Sequence, residues 1–498
     1  MSSVVIPFEL PLPKVLPTIE GNVDYRMFRD QLVQINQMLV ISGLEDQMIE
    51  ADLKQWLKGR QRVGAKAQQN RQLHCRRALR CNIARGLLKE DYRGFATRLA
   101  DSPLLQFFCG IAEVDRVLVP GKSTLQRYDT WWPEAEVRRL TTQLLQTGAQ
   151  HPEKLQLPEA VDLETCFLDT TCVAANIHYP VDWVLLRDAT RTLMKAVKLI
   201  REQGLKHRME APESFITRIN RLCIDMTHTK AKQDSQRHRK TTLRKMDRVV
   251  GTVAAHARRY RKLLDEKWEQ TEWTRPQAER VLRRIDQVLE QLPQARKQAR
   301  QRILCGEVVE NKEKILSLYE RDVRVIVRKK AGAEVEFGNT LLLGESLQGL
   351  VLDWELFKET APADARLQER SVARMKGAFG PVLKALGADR GFHSEANQKA
   401  LAKDGVYDGV CPRSPHELKE RGSSWKFKKL QRRRAQTEGR VAIIKNVFLG
   451  RPLRSKGFEH RALSVTWTVL THNLWVLARL TIAAREAARA AQAAAMAA

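Results

Sequence analysis

Two aspartates stand in surroundings where an ionised carboxylate needs compensation. Asp169 lies inside the apolar run CFLDTTCV (166–173), where a buried charge is costly unless it is paired. A bound metal ion is one compensation, and an internal salt bridge or helix N-cap is the other. Asp389 closes a short predicted strand before a turn at 390–392, and α/β sheets place their sites at such strand ends. Asp353, within LVLDWEL, is a weaker alternative because no glycine turn follows it.

A third acid stands within a very basic segment. In RRRAQTEGRVAIIK (432–445), Arg434, Glu438 and Lys445 are spaced by four and seven residues, which on a helix places them within roughly 40° of one face. An i,i+4 salt bridge between Arg434 and Glu438 is one interpretation. The window 421–445, however, holds nine Lys/Arg and a single acid. That pattern suits an enzyme that holds a metal ion against a DNA phosphate.

The side chains around Glu438 are candidates for DNA contacts. Arg434 and Lys445 would grip neighbouring phosphates, and we assign Arg440 to the same DNA-binding set. Trp425, at the head of the segment, could stack on an unpaired base or belong to the core. The three acids come without His or Cys ligands, and carboxylate oxygens match Mg²⁺ rather than zinc.

A second candidate DNA-binding element lies near the N-terminus. In VPGKSTLQRY (119–128), a proline–glycine pair predicts a turn, and Ser123 or Thr124 would cap the following helix. A helix-turn-helix is one interpretation, and a surface helix in an all-helical domain is the other. A P-loop is excluded because that motif needs glycine where Arg116 stands. The side chains expected to reach DNA are Lys122, Gln126 and Arg127.

The amino-acid composition indicates a folded, strongly basic protein. The chain has 498 residues and a formal charge of +28, so polyanions are the expected partners. A hydrophobic fraction of 43% excludes wholesale disorder. Eight scattered cysteines without C-x-x-C pairs predict reduced thiols in the cytoplasm. Residues 1–14 do not resemble a signal peptide, and no run of about 18 apolar residues predicts a transmembrane helix. A membrane is therefore not an expected partner.

The elements that position these residues fall into four parts. Residues 1–160 show helical apolar spacing and predict a helical N-terminal DNA-binding domain. Strand patterns in 161–184 and 318–482, the latter closed by helices, predict one α/β domain. That domain is split by a helical basic insertion, 185–317. An alanine-rich tail, 483–498, ends the chain.

Two of the predicted helices have distinctive faces. Residues 228–262 in the insertion contain 12 Lys/Arg and only two Asp, which favours a phosphate-tracking surface over a solvated charged helix. A late helix has apolar residues on one face, typical of a packing surface. Those residues are Leu463, Trp467, Leu470, Leu474 and Leu477.

Three blocks together resemble a known enzyme family. FLDTTCVAANIHYPVD (167–182), ADRGF (388–392) and R-x(3)-E-x(6)-K (434–445) resemble the catalytic blocks of DDE transposases from bacterial insertion sequences. They are most similar to the branch with a tyrosine-arginine-glutamate-lysine (YREK) signature, although Gln431 stands where the tyrosine would be. SPLLQFFCGI and VPGKSTLQRY resemble the N-terminal DNA-binding part of such enzymes. The resemblance covers roughly residues 70–475.

The resemblance implies a fold and a chemistry. It implies an RNase H-like mixed sheet, with Asp169 on the first strand, Asp389 after a later strand and Glu438 on a helix. These three acids would be the catalytic and metal-binding residues for two Mg²⁺ ions, with Mn²⁺ as a possible substitute. Such an enzyme cuts DNA at the ends of its element and joins the freed ends to target DNA.

The resemblance also implies partners and a location. Transposon ends and target DNA, both double-stranded, would be the substrates, and a homodimer or larger assembly would hold two ends together. The expected location is the bacterial cytoplasm, in association with the nucleoid. Two alternatives stay open at this point: a non-catalytic DNA-binding protein derived from a transposase, and an RNase H-like nuclease without strand transfer.

Overall fold

The computed structural model describes residues 18–60, 62–113, 116–228, 234–330 and 333–497. The stretch 1–14, which does not resemble a signal peptide, lies outside these residues. The protein is α/β, 66% helical, with a mixed sheet of six strands, which confirms the predicted class. None of the described helices pairs enough length with enough apolarity to cross a bilayer.

The described N-terminal part is built from helices. Their bounds are α1 Val23–Ile41, α2 Leu44–Leu57, α3 Ala65–Leu88, α4 Tyr92–Asp101, α5 Pro103–Cys109, α6 Lys122–Asp129 and α7 Glu134–Gln150. The prediction that Ser123 or Thr124 caps α6 is wrong, because extended Gly121 occupies the N-cap and both hydroxyl residues lie in the first turn. Residues 110–121 join α5 to α6. That connection is longer than the 3–4-residue turn of a helix-turn-helix, so the surface-helix interpretation fits better.

The sheet is organised around its first strand. The strands are β1 Thr165–Ala174, β2 Arg324–Lys330, β3 Ala333–Ser346, β4 Val351–Leu356, β5 Ala385–Ala388 and β6 Tyr407–Val410. β1 pairs antiparallel with β3 and parallel with β5, and β6 continues in parallel beyond β5. β2 and β4 both pair antiparallel with β3, along different stretches. The sheet is therefore mixed, with its change of direction at β1.

A group of helices separates β1 from β2 in the sequence. These helices are α8 Asp182–Glu202, α9 Pro212–His228, α10 Ser235–Lys267 and α11 Arg275–Arg300. They enclose a hydrophobic core of their own, in which Leu193, Phe215, Val250 and Ile285 are almost fully buried. Tertiary packing of apolar stripes thus holds this group together.

Helices cover both faces of the sheet. The remaining ones are α12 Asp364–Phe379, α13 Glu395–Lys403, α14 Pro415–Arg421, α15 Trp425–Ile443 and α16 Phe458–Ala497. On one face, Leu168 and Leu386 belong to a core shared with the N-terminal helices and α16. On the other, Phe167 packs with Leu430 of α15. The predicted packing face of the last helix is confirmed, because its five apolar residues are all buried.

Local sequence signals determine the strand–turn–helix unit formed by β5, the turn after it and α13. β5 ends at Ala388, and the Ser394 hydroxyl accepts a hydrogen bond from the backbone N–H of Asn397 at the start of α13. A serine N-cap of this kind satisfies a backbone donor that the first helical turn leaves unpaired. The predicted strand, turn and serine-capped helix are confirmed.

Candidate active site at the ends of the central strands

The pairing of β1 with β5 brings Asp169 and Asp389 side by side. The parallel register aligns Leu168 with Ala388. Asp169 directly follows Leu168, and Asp389 directly follows Ala388. Neighbouring strands lie about 4.8 Å apart. Strand alternation places Asp169 on the same face as Phe167, the face that α15 covers. Two carboxylates that are 220 residues apart in sequence thus share one end of the β1–β5 pair.

The turn after β5 holds the Asp389 carboxylate in place. Its Oδ1 accepts a hydrogen bond from the backbone N–H of Gly391, at 2.8 Å. Asp389 is half-buried, so it combines a fixed orientation with access to solvent. Asp169 is also half-buried, and its Oδ1 accepts a hydrogen bond of 2.8 Å from the N–H of Thr170.

A third carboxylate, which the sequence analysis missed, lies beside Asp389. Asp364 opens α12, and the Thr170 hydroxyl lies 3.3 Å from its Oδ1. A Cβ placed on Gly391 would stand 2.8 Å from Asp364 Oδ2 and 2.9 Å from Asp389 Oδ1. The two carboxylates therefore face each other across the space that a side chain would fill. An acid in the first turn of a helix is common, so the sequence carried no signal that set Asp364 apart.

Glu438 lies on the flank of α15 that runs over this end of the sheet. Gln431, Glu438 and Lys445 follow one another at seven-residue intervals, close to two helical turns each. Gln431 Nε2 donates to the Gly409 carbonyl of β6 at 2.7 Å, and Lys445 Nζ donates to the Thr171 hydroxyl of β1 at 3.2 Å. Glu438 stands between these two anchors, and its side chain is exposed.

Arg434 does not pair with Glu438. Its Nε donates instead to Gln431 Oε1, at 3.2 Å, so the i,i+4 salt bridge considered above is not formed. Gln431 therefore bonds both the sheet and Arg434. The Glu438 carboxylate has no hydrogen bond or ion pair with any other described residue.

Two other residues from the sequence analysis have structural partners. Arg440 Nε lies 2.8 Å from Glu345 of β3, and Arg433 contacts the same carboxylate at 2.6 Å. Because Glu345 is only 4% exposed, these contacts fasten α15 to the sheet, and the Arg440 guanidinium is engaged within the protein. Asp353, the weaker alternative for the acidic site, is held by Arg374 at 2.6 Å.

The remaining candidates for DNA contacts lie at the surface. Trp425 is 73% exposed at the head of α15, with Lys429 Nζ 5.0 Å from its ring centroid, so it is not a core residue. Lys122, Gln126 and Arg127 are exposed on α6. The first two also line a cleft of about 840 Å³.

That cleft connects the N-terminal helices with the end of β1. Its walls include α6, the segment 448–455 and Asn176, which follows β1 by two residues. The chain past β1 is held there by a bridge between Ala175 and Leu453. The exposed residues Lys122 and Gln126 of α6 and the segment after β1 thus border the same cleft.

The donor chemistry suits a hard divalent cation, but the predicted ligands are not fully gathered. Asp169, Asp389 and Asp364 bring carboxylate oxygens, the donors that Mg²⁺ prefers, to one end of the sheet. Glu438 is set apart from them at the exposed flank of α15. Among the described residues, no three His, Cys, Asp or Glu side chains form a group that could hold a metal ion.

Comparison with known proteins gives no family assignment. No family model, no curated protein and no solved structure matches this chain.

Proposed function

We propose that this protein is a DDE transposase with an RNase H-like catalytic domain, which binds the ends of an insertion sequence and catalyses metal-dependent DNA cleavage and strand transfer. The observation that carries the proposal is the β1–β5 register, whose last pair, Leu168 with Ala388, is followed directly by Asp169 on one strand and by Asp389 on the other. α15, which bears Glu438, packs against both strands. The six-stranded mixed sheet is compatible with this fold class.

The positions of the acids on their elements also support the proposal. Asp169 is on the first strand, Asp389 directly follows a later strand, and Glu438 is on a helix packed against that strand pair. These are the elements on which the resemblance expects them. A long helical group interrupts the α/β unit between β1 and β2, which accounts for just over half of the distance in sequence between the aspartates.

Asp169, Asp389 and Glu438 would hold the Mg²⁺ ions, or Mn²⁺ in their place. Bound there, the ions would activate the attacking oxygen and stabilise the leaving oxygen of an in-line phosphoryl displacement. Because Glu438 has no partner among the described residues, its carboxylate is available for such a role. Asp364, beside Asp389, adds negative charge that a cation would offset.

Basic residues of α15 and of the segment that directly follows it would position the DNA strand. Lys445 donates to Thr171 of β1, two residues after Asp169. It can therefore contact a phosphate that reaches the aspartates. Gln431 orients Arg434 for a neighbouring phosphate. Positioning and charge neutralisation account for much of the acceleration in phosphoryl transfer.

The same site can serve both reactions. In cleavage, water attacks phosphorus, a new P–O bond forms, and the bond to the 3′ oxygen breaks, so that this oxygen leaves with a proton as a 3′-hydroxyl. In strand transfer, that hydroxyl attacks a target phosphate in the same way. Two DNA ends must be held together for this sequence of events, so we expect a homodimer or larger assembly on DNA, in the cytoplasm.

One observation favours a second candidate, a non-catalytic DNA-binding protein derived from a transposase. No group of three potential metal ligands forms among the described residues. Such a protein would keep the basic surfaces without assembling the acids.

One assay separates the candidate functions. Labelled duplexes from both flanks of the reading frame would be incubated with the protein, Mg²⁺ and a target plasmid. We expect cut flanking DNA and strands joined to the plasmid. Bound DNA without cutting would support the non-catalytic candidate, and cutting without joining would indicate an RNase H-like nuclease. An absence of both binding and cutting would contradict the proposal.

A further inference from the structure

α10 carries exposed arginines along one side. Arg237, Arg244, Arg248, Arg258 and Arg259 are all exposed, and we call them the α10 arginine row. At 100° per residue they fall on one side of the helix, opposite the buried residues Met246, Val250 and Leu264. Arg259 follows Arg237 by 22 positions, or roughly 33 Å along the axis.

The carboxylates of α10 are already engaged with other cations. Asp247 is bound by Arg296 of α11 at 2.6 Å and also by Arg300. Asp265 accepts from Arg261 at 2.8 Å. These pairs lie on the flank that faces α11 or at the end of the helix.

The arginine row itself lacks such partners. Within the described residues, none of its five guanidiniums forms an ion pair. A solvated helix that served only structure would be expected to balance its charges through i,i+4 pairs. The row is a concentrated positive field with no internal compensation.

The row is divided by small side chains. Arg237, Arg244 and Arg248 form one group and Arg258 and Arg259 the other, and the exposed residues between them include Thr252 and Ala255. The groups are separated by about 15 Å along the axis, at 1.5 Å per residue. Small residues at the middle let another surface approach the helix closely, while the arginines at both ends reach outward.

We propose that the α10 arginine row binds the phosphate backbone of duplex DNA. Its roughly 33 Å length is close to one turn of B-DNA, about 34 Å, and DNA carries one negative charge per ~1.7 Å of axis. Charge complementarity favours this occupant, because exposed cations on one side of a helix, without ion-pair partners among the described residues, suit a polyanion. The identity of the polyanion as DNA rests on the proposed function, whereas the surface itself does not depend on the acidic site.

The test measures binding of a fluorescent 40-base-pair duplex of arbitrary sequence over a range of salt concentrations. The variant carries Arg244→Gln, Arg248→Gln and Arg259→Gln, which keep helix propensity nearly constant. Each lost phosphate contact makes the negative slope of the log association constant against log salt concentration shallower by about 0.9. We expect the slope of the variant to be shallower by roughly three and its affinity at 0.1 M salt to be lower by one to two orders of magnitude.

The matched control removes the same charge from the neighbouring helix. Arg280→Gln, Arg283→Gln and Arg284→Gln change three exposed arginines of α11, and we expect the slope to change by less than one. Equal losses in both variants would overturn the proposal, because the effect would then come from net charge alone. Row-dependent binding that is tighter for single-stranded RNA than for the duplex would also overturn it.

The outcome is distinguishable from a failure of the proposed function. If the wild-type protein binds DNA through the row but never cuts it, the surface stands and the enzymatic proposal fails. If the row variant binds and cuts like the wild type, the surface proposal fails and the enzymatic one stands.

Discussion

α10 and α15 are both strongly basic helices, yet they use their arginines in different ways. On α15, Arg433 and Arg440 share the buried carboxylate of Glu345. On α10, the arginine row forms no ion pair within the described part of the chain. The first arrangement fixes a helix to the sheet, and the second leaves charge at the surface for a partner.

The comparison shows that charge density alone does not assign a role to a basic helix. What decides is whether a carboxylate of another element faces the cation. The roles even divide within α15, because the side with Arg440 is bound to the sheet, whereas the side with Glu438 borders the candidate active site together with Lys445, just past the end of the helix. Removing the contacts of Arg433 and Arg440 with Glu345 should lower the free energy of unfolding. Changing the α10 arginine row should lower the affinity for DNA.

The largest effect is expected from Glu345→Ala. Removing this carboxylate leaves Arg433 and Arg440 without their shared partner, and breaking a buried ion pair on one side costs about 3–5 kcal/mol. We expect the free energy of unfolding, measured by urea titration with tryptophan fluorescence, to fall by about that amount. Arg244→Gln is the control, expected to change it by less than about 0.5 kcal/mol. Equal stability losses in the two variants would remove the distinction between the helices.

The stability of the region where α16 packs beside the end of α15 should also depend on pH. His472 of α16 is fully buried and contacts Phe448, which follows α15. Burial, with a smaller contribution from the charge of Arg440, lowers the pKa of His472 to about 4 from 6.5. The unfolded chain therefore binds a proton in this interval that the folded chain does not.

The expected consequence is a loss of stability in acid. The contribution is fully present above pH 6.5 and is lost as the pH falls toward 4, by about 3 kcal/mol in all. Urea titrations at several pH values between 4 and 7 would measure this loss, and the variant His472→Phe should show a shallower dependence. An identical pH dependence in the wild type and in the variant would contradict the assignment.

Gly391→Ala should affect activity more than stability. The new methyl group would stand within 3 Å of carboxylate oxygens of Asp364 and Asp389, so the acids must shift apart. A displacement of about 1 Å in a catalytic group can cost roughly 100-fold in rate. We expect a cleavage rate lower by about that factor, with duplex affinity unchanged because the arginine row is untouched. An unaltered rate in a single-turnover assay would argue against these two carboxylates as part of the site.

The sequence was informative where a signal is local. The apolar run around Asp169, the glycine turn after Asp389 and the serine that caps α13 each depend on a few neighbouring residues. The elements bearing all three proposed acids could therefore be predicted. The meeting of Asp169 with Asp389 depends on strand pairing over 220 residues, and the resemblance rather than the residue pattern suggested it.

The rest depended on contacts between distant segments. Nothing near Arg440 indicates that Glu345 of β3 lies beneath it, and nothing near Asp364 indicates that Gly391 brings it to Asp389. The helix-turn-helix interpretation fits less well because the connection between α5 and α6 is longer than such a turn, and the proline–glycine pair alone does not reveal that length.

The central claim is that Asp169 and Asp389 form one catalytic pair, and single-turnover cleavage of flanking DNA in Mg²⁺ tests it most directly. Asp169→Asn and Asp389→Asn should each lower the cleavage rate at least about 100-fold, while duplex affinity stays at the wild-type level. Glu420→Gln, which removes an exposed acid from α14, should cut like the wild type. Cleavage at the wild-type rate by either aspartate variant would contradict the account.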